Sequence, residues 1–124
     1  GVTAAAQADT IYLGSFVTAA ATVRTILASA PPLVTIVAMG LAATQRSDED
    51  EHCALYLRNL LQGRCPDREA VQKLVRIGQE AQKYDDPSQP QFHPQDKELA
   101  LQVSRYSFAL QVTQENGLLV ARTV

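Results

Sequence analysis

Apolar and polar residues in the N-terminal half of the chain follow each other in blocks that predict strands and helices in turn. The apolar run Thr10–Leu13 stops at a glycine and predicts a short buried strand. Thr18–Ala28 is rich in alanine, has apolar residues on one helical face and predicts a helix with Thr18 as its N-cap. After two prolines, Leu33–Met39 is apolar on both faces, which predicts a central strand covered by helices.

The second half of the chain predicts mainly helices and a terminal hairpin. In chain order we expect a loop, two helices, a proline-rich loop and a short helix: Leu41–Arg46, Ser47–Leu61, Asp67–Lys83, Asp85–Pro94 and Gln95–Arg105. Two runs that favour extended structure, Tyr106–Val112 and Leu118–Val124, flank Asn116-Gly117. Asn-Gly between such runs is a strong hairpin signal, so we predict an antiparallel hairpin at the C-terminus.

The order of these elements predicts the fold class. Strand, helix and strand between residues 10 and 39 form a right-handed βαβ unit. We therefore predict an α/β three-layer sandwich with a mostly parallel sheet, a βαβ core and the C-terminal antiparallel hairpin at one edge. The 124 residues suffice for a single domain, residues 1–124. Val2–Ala8 resembles the tail of an earlier helix, which indicates the C-terminal part of a longer protein; an expression scar would also explain Gly1.

Composition narrows the class of partner and the compartment. Apolar residues make up 46% of the chain and tryptophan is absent, so we expect an aliphatic core. The net charge is −2 with no basic stripe, so we expect no nucleic-acid partner. We expect no membrane span, because no apolar run approaches the ~20 residues that it needs. The two cysteines, Cys53 and Cys65, are expected to lie too far apart to bridge, which suits a cytoplasmic protein.

The run Ser47-Asp48-Glu49-Asp50-Glu51 is the first candidate for chemistry. In an α/β protein, ligands bind beyond the carboxyl ends of the strands, and carboxylates beside such a crevice can hold Mg²⁺. Acidic residues in a first helical turn also complement the helix dipole, with Ser47 as N-cap. From the residues alone, the structural interpretation is the more common one.

Other residues also have two interpretations each. Gly14, Ser15 and Thr18 can bind an anion at a helix start, or can simply form a tight turn and a cap. Arg46 can clamp a phosphate, or can be a solvated surface residue. Three further residues have a catalytic interpretation but a more common structural one, on the surface, in a packed loop and in the core respectively: His52, His93 and Cys53.

Part of the chain resembles the C-terminal half of the 2-phosphosulfolactate phosphatases. The resemblance covers roughly Asp9–Leu61, and its most specific part is Ser-x-Glu-Asp-x-x-Cys-Ala, which begins at Ser47. Gly14 and Ser15 match the Gly-Ser after the family's strand. That family consists of Mg²⁺-dependent hydrolases that remove phosphate from 2-phosphosulfolactate on the route to coenzyme M.

The resemblance implies a function and a set of site residues. It implies a phosphatase acting on a small phosphorylated organic acid, with Glu49 and Asp50 as catalytic residues and Mg²⁺ ligands. Gly14, Ser15 and Ser47 would bind the phosphate or sulfonate, and Arg46 would offset its charge. Other site residues would lie in a missing N-terminal half, so the chain alone should be inactive. The alternative is a non-catalytic α/β oligomerisation or regulatory module. A homo-oligomer is among the partners that the sequence allows, and the oligomeric state is left open.

Overall fold

The computed structural model describes residues 2, 3, 5, 7–42 and 44–124. These residues contain the following strands and α-helices: β1 (Ile11–Leu13), α1 (Ala19–Ser29), α2 (Asp48–Leu61), α3 (Arg68–Ile77), α4 (Pro94–Ala100), β2 (Leu110–Glu115) and β3 (Leu118–Thr123). Two 3₁₀ segments, Phe16–Thr18 and Glu80–Asp85, precede α1 and follow α3. The predicted helix tail Val2–Ala8 and the predicted loop Leu41–Arg46 each lie partly outside the described residues.

The strands form one antiparallel sheet in the order β1-β2-β3. β1 pairs with β2 so that Ile11 lies opposite Val112, and β2 pairs with β3 so that Leu110 lies opposite Thr123. The predicted three-layer sandwich with a mostly parallel sheet and a βαβ core is therefore wrong. The first predicted strand does form, but its partner is the C-terminal hairpin and not the segment that follows α1.

Leu33–Met39, predicted as the central strand, has no assigned secondary structure. Leu33 is 79% exposed and Val37 is 63% exposed, whereas a central strand would be covered on both faces. The apolar pattern predicts burial, but a strand also needs neighbours that complete its hydrogen bonds. Among the described residues no strand lies alongside residues 33–39, although the outer edge of β1 is unpaired.

The predicted C-terminal hairpin is confirmed. Leu110–Glu115 and Leu118–Thr123 pair in antiparallel register around a two-residue loop. Asn116 and Gly117 both have positive φ, 50° and 79°, as a type I′ turn requires. The first strand begins at Leu110 instead of Tyr106.

Two predicted helices end earlier than their sequence patterns indicate. The helix expected over Asp67–Lys83 starts correctly, since the Asp67 side chain accepts hydrogen bonds from the backbone N–H groups of Glu69 and Ala70. It ends at Ile77, because Gly78 takes an extended conformation with ψ of 161°. The helix expected over Gln95–Arg105 covers only Pro94–Ala100.

The hydrophobic core lies where α1, α2 and α3 meet the segment after α4. Its buried members are Phe16, Ala19, Val23, Tyr56, Leu57, Val75 and Leu101. Phe16 and Tyr56 pack edge to face, with ring centroids 5.8 Å apart. The prediction that Cys53 is a core residue is confirmed, since it packs against this cluster. No helix of the described residues is long and apolar enough to cross a membrane.

Candidate functional site

The acidic residues Asp48 to Glu51 form the first turn of α2, as predicted, with Ser47 at the N-cap position. The Ser47 side chain does not cap the helix, however. Its hydroxyl donates to the Glu49 carboxylate, so a hydrogen bond between two side chains replaces the predicted cap on the backbone. We call Asp48 to Glu51 the acidic turn. Each of its four carboxylates accepts a hydrogen bond from a different protein group.

Asp48 joins α2 to the end of α3. Its carboxylate accepts a hydrogen bond from the backbone N–H of Gln79 at 2.6 Å. A side chain at Gly78 would collide with this carboxylate, so glycine at position 78 permits the contact. Burial by itself would raise the pKa of Asp48, but hydrogen bonds, chiefly that from Gln79, outweigh it and lower the pKa. Asp48 therefore contacts the backbone just beyond Ile77, where α3 ends earlier than predicted.

The pKa of Glu49 is shifted in the opposite direction to that of Asp48. Burial raises the pKa of its carboxyl, and the neighbouring charge of Asp50 raises it further, while the Ser47 hydroxyl opposes the shift. Glu49 therefore holds its proton more tightly than a free glutamate does. The resemblance implies that this carboxyl and that of Asp50 are Mg²⁺ ligands.

Asp50 joins α2 to the end of the segment that precedes it. Its carboxylate accepts a hydrogen bond from the backbone N–H of Gly40 at 2.8 Å. Gly40 has a φ of +66°, and a side chain there would strike the backbone carbonyl of Gln45, so the turn requires glycine. Gly40 thus lies beside the acidic turn, and the hydrogen bond from its N–H to Asp50 holds the turn at residue 40 against α2.

Arg46 faces the acidic turn from its N-terminal side. Its guanidinium forms a two-bond ion pair with Glu51, with Nε–Oε1 and Nη2–Oε2 distances of 2.5 and 2.8 Å. The hydrogen bond and charge of Arg46 lower the pKa of Glu51. A shallow cavity of about 180 Å³ lies beside the pair, lined by Arg46, Asp48, Glu51, Gln79 and Glu80. It is smaller than the 300 Å³ or more that is usual for a small-molecule site.

Gly14 and Ser15 lie away from the acidic turn: Gly14 packs against Leu57 of α2, and Ser15 directly precedes the 3₁₀ segment before α1. A side chain at Gly14 would come within 2.8 Å of Leu57 Cδ1, so this glycine allows β1 to approach α2 closely. Leu57 is seven residues beyond Asp50, or about 10 Å along a helix. Gly14 therefore serves the packing of β1 against α2, and it does not face the carboxylates of the acidic turn.

The hydroxyls near α1 are used within the protein. Ser15 Oγ lies 2.9 Å from Thr18 Oγ1, and the hydroxyl of Thr22 donates to Thr18 at 3.4 Å. The free backbone N–H of Ala20 donates to Ser104 Oγ at 3.1 Å. The start of α1 is thus capped by Ser104 and not by Thr18. Sequence reasoning missed Ser104, since it is 84 positions from Ala20 and no local pattern marks it.

The other candidate residues have structural surroundings. His93 is the N-cap of α4, where its Nδ1 accepts a hydrogen bond from Gln95 N–H at 3.2 Å. Burial raises the pKa of the Cys53 thiol to about 12, which disfavours the nucleophilic thiolate at neutral pH. Among residues 2, 3, 5, 7–42 and 44–124, no group of three or more His, Cys, Asp or Glu side chains is arranged to hold a metal ion.

An exposed apolar stretch of chain precedes the acidic turn. We call residues 33–39 the apolar segment. Its Leu33, Val37 and Met39 side chains are 79%, 63% and 42% exposed, while Ile36 packs against the core cluster. Within the part of the chain that the structure describes, no backbone group of residues 33–39 takes part in a hydrogen bond. Arg24 and Arg46 are the nearest charged residues on either side.

Comparison with known proteins gives no further guide to the site. No protein-family model, no curated protein and no solved structure matches the chain.

Proposed function

We propose that this chain is a non-catalytic association module that binds a protein partner through the apolar segment. The observation that carries the proposal is an uncharged run of seven residues, all exposed except Ile36, whose backbone groups form no hydrogen bond within the described part of the chain. Large exposed apolar patches on soluble proteins commonly mark interaction sites. Unpaired backbone N–H and C=O groups can also accept a partner's backbone, which completes their hydrogen bonds.

The apolar segment is held at both ends and in the middle. Pro31 and Pro32 restrict the backbone at its start, and Asp50 holds the N–H of Gly40 at its end. Ile36 packs against the core from the centre of the segment. Holding a strand in place before its partner arrives lowers the entropy lost on binding. On this interpretation the acidic turn of α2 fixes the end of the apolar segment, through the hydrogen bond from Gly40 to Asp50, and keeps the segment exposed to a partner.

Hydrogen exchange of the dilute protein tests this function. We expect the backbone amides of residues 33–39 to exchange rapidly, while the amides of β2 that pair with β3 are protected. The central strand β2 serves as the internal control, since it is hydrogen-bonded on both sides. Protection of residues 33–39 equal to that of β2 in dilute protein would mean that the segment is already paired within its own chain, and would overturn the proposal.

The Mg²⁺-dependent phosphatase remains a second candidate. The observation in its favour is that Arg46 and Asp48 line one cavity beside the acidic turn. The test is hydrolysis of a small phosphate ester with and without Mg²⁺, using the chain joined to the further residues of any longer natural protein. Activity that requires Mg²⁺ and disappears in the Glu49→Gln, Asp50→Asn double variant would support this candidate. Unchanged activity in the double variant would remove the metal role.

A further inference from the structure

We propose that the apolar segment is a cleavage site for an endoprotease with a small aliphatic primary pocket, and that the two pieces stay together after the cut. The inference shares one requirement with the association function, an accessible segment, and is otherwise independent of it. Cleavage breaks one peptide C–N bond and consumes one water molecule, which leaves a carboxylate on one piece and an ammonium group on the other.

The backbone of the apolar segment is open to a protease. A protease binds several residues of its substrate in extended form, so a helix or a strand must open locally before it is cut. Residues 33–39 need no such opening, because they have no assigned helix or strand and their backbone groups bond to no other described residue. The irregular stretch 101–109, by contrast, donates backbone hydrogen bonds to Phe16 and Val17.

The side chains of the apolar segment select the class of protease. Residues 25–45 carry no charge, so an enzyme whose primary pocket binds a charged side chain, as that of trypsin does, has no site there. Between Pro32 and Gly40, which are fixed, the exposed side chains in the middle of the segment are all small: Val34, Thr35, Val37 and Ala38. Small aliphatic side chains fit the primary pocket of elastase-like enzymes. Val37 is 63% exposed against 40% for Val34, so we expect the first cut after Val37.

Contacts that the cut does not touch hold the two pieces together. On the N-terminal piece, β1 pairs with β2 of the other piece. The ring of Phe16 packs edge to face on Tyr56, and the carbonyl oxygens of Phe16 and Val17 accept hydrogen bonds from the N–H groups of Ser104 and Tyr106. Cleavage therefore changes the apolar segment and leaves the core in place. Where the segment binds a partner, the cut ends that binding without unfolding the protein.

Trypsin digestion of two variants tests the cleavage site. Val37→Lys places a trypsin site in the apolar segment, and Leu55→Lys, the matched control, places one inside α2. The two positions are 63% and 53% exposed, so they differ mainly in whether the backbone is helical. The wild type is digested with elastase in parallel, and the first cuts are located by mass spectrometry.

We expect trypsin to cut after position 37 about ten times faster than after position 55, because α2 must open before it is cut. Within residues 10–124, elastase should first cut the wild type between positions 34 and 38. Equal trypsin rates at the two positions, or a first elastase cut elsewhere in residues 10–124, would overturn the cleavage site.

Size-exclusion chromatography of the nicked wild type tests whether the pieces stay together. We expect one particle in native buffer and two pieces in denaturant; separation in native buffer would overturn this part of the proposal. Hydrogen exchange distinguishes the two functions. Rapid exchange of residues 33–39 in a protein that resists cleavage there would leave the association function standing alone, whereas slow exchange would remove the exposed segment that both require.

Discussion

Replacing Asp50 by alanine separates a structural role of the acidic turn from a metal-binding role. The substitution removes the acceptor of the Gly40 N–H, which lies 2.8 Å from the Asp50 carboxylate. It leaves the other three carboxylates of the turn with their partners Gln79, Ser47 and Arg46. A structural carboxylate stabilises the protein when present, whereas an acid held for a metal repels its neighbours until the metal binds.

The magnitude follows from three contributions. A hydrogen bond to a charged group contributes ~1.5–3 kcal/mol, which we reduce to about 1 kcal/mol because the site is only partly buried. Loss of a negative charge from a first helical turn costs about 0.5 kcal/mol. Alanine gains about 0.5 kcal/mol of helix propensity over aspartate. We therefore expect Asp50→Ala to lower the free energy of unfolding by about 1 kcal/mol, which is a fall in Tm of about 4 °C.

Thermal unfolding followed by circular dichroism measures this change, with Asp96→Ala as the matched control. Asp96 also lies in a first helical turn, that of α4, so its replacement alters the dipole and propensity contributions in the same way. Its side chain makes no hydrogen bond within the described part of the chain, and its backbone N–H donates to His93 in both proteins. We expect Asp96→Ala to change the stability by less than about 0.5 kcal/mol.

Two results would refute the structural role. One is a Tm for Asp50→Ala equal to or above that of the wild type, which would mean that the carboxylate is strained by its neighbours. The other is a large rise in the wild-type Tm on addition of Mg²⁺ that Asp50→Ala abolishes. A ligand at one hundred times its dissociation constant stabilises by ~2.7 kcal/mol, so such binding would be plain in the same assay.

Two further predictions concern single side chains. Because the pKa of Glu49 is raised in the folded protein, its contribution to stability falls as the pH rises from the unfolded value of ~4.3 through the folded pKa. Glu49→Gln should therefore raise the Tm at neutral pH and leave it unchanged near ~pH 3; an equal effect at both would contradict the assigned cause. Ser104→Ala should lower the free energy of unfolding by ~1 kcal/mol, because Ala20 N–H loses its cap. Ser107→Ala, at an exposed neighbouring position, is the control, and equal chemical-denaturation midpoints for the two variants would contradict the capping role.

The sequence predicted well those features that neighbouring residues determine. Asn116-Gly117 marks the hairpin because only a few residue types adopt two consecutive positive φ values easily. Asp67 marks the start of α3 because its carboxylate reaches N–H groups two and three residues ahead. The position of the acidic turn on α2 followed from the same local rules.

Features that depend on distant contacts were not predictable in this way. The pattern of Leu33–Met39 is that of a buried strand, but pairing depends on how the distant parts of the chain pack, and no strand of the described residues pairs with this segment. Ser104 caps α1 across 84 positions, and Asp48 meets Gln79 across 31, so neither contact leaves a local signal. The predicted grouping of Gly14 with the acidic turn depended on the parallel sheet, and it was lost with that sheet.

Hydrogen exchange followed in dilute protein is the most direct test that residues 33–39 are free to bind a partner. We expect rapid exchange of their backbone amides and protection of the amides in β2, which is hydrogen-bonded to a strand on each side. Slow exchange of residues 33–39, equal to that of β2, would contradict the proposed association function, because the apolar segment would then be paired within its own chain.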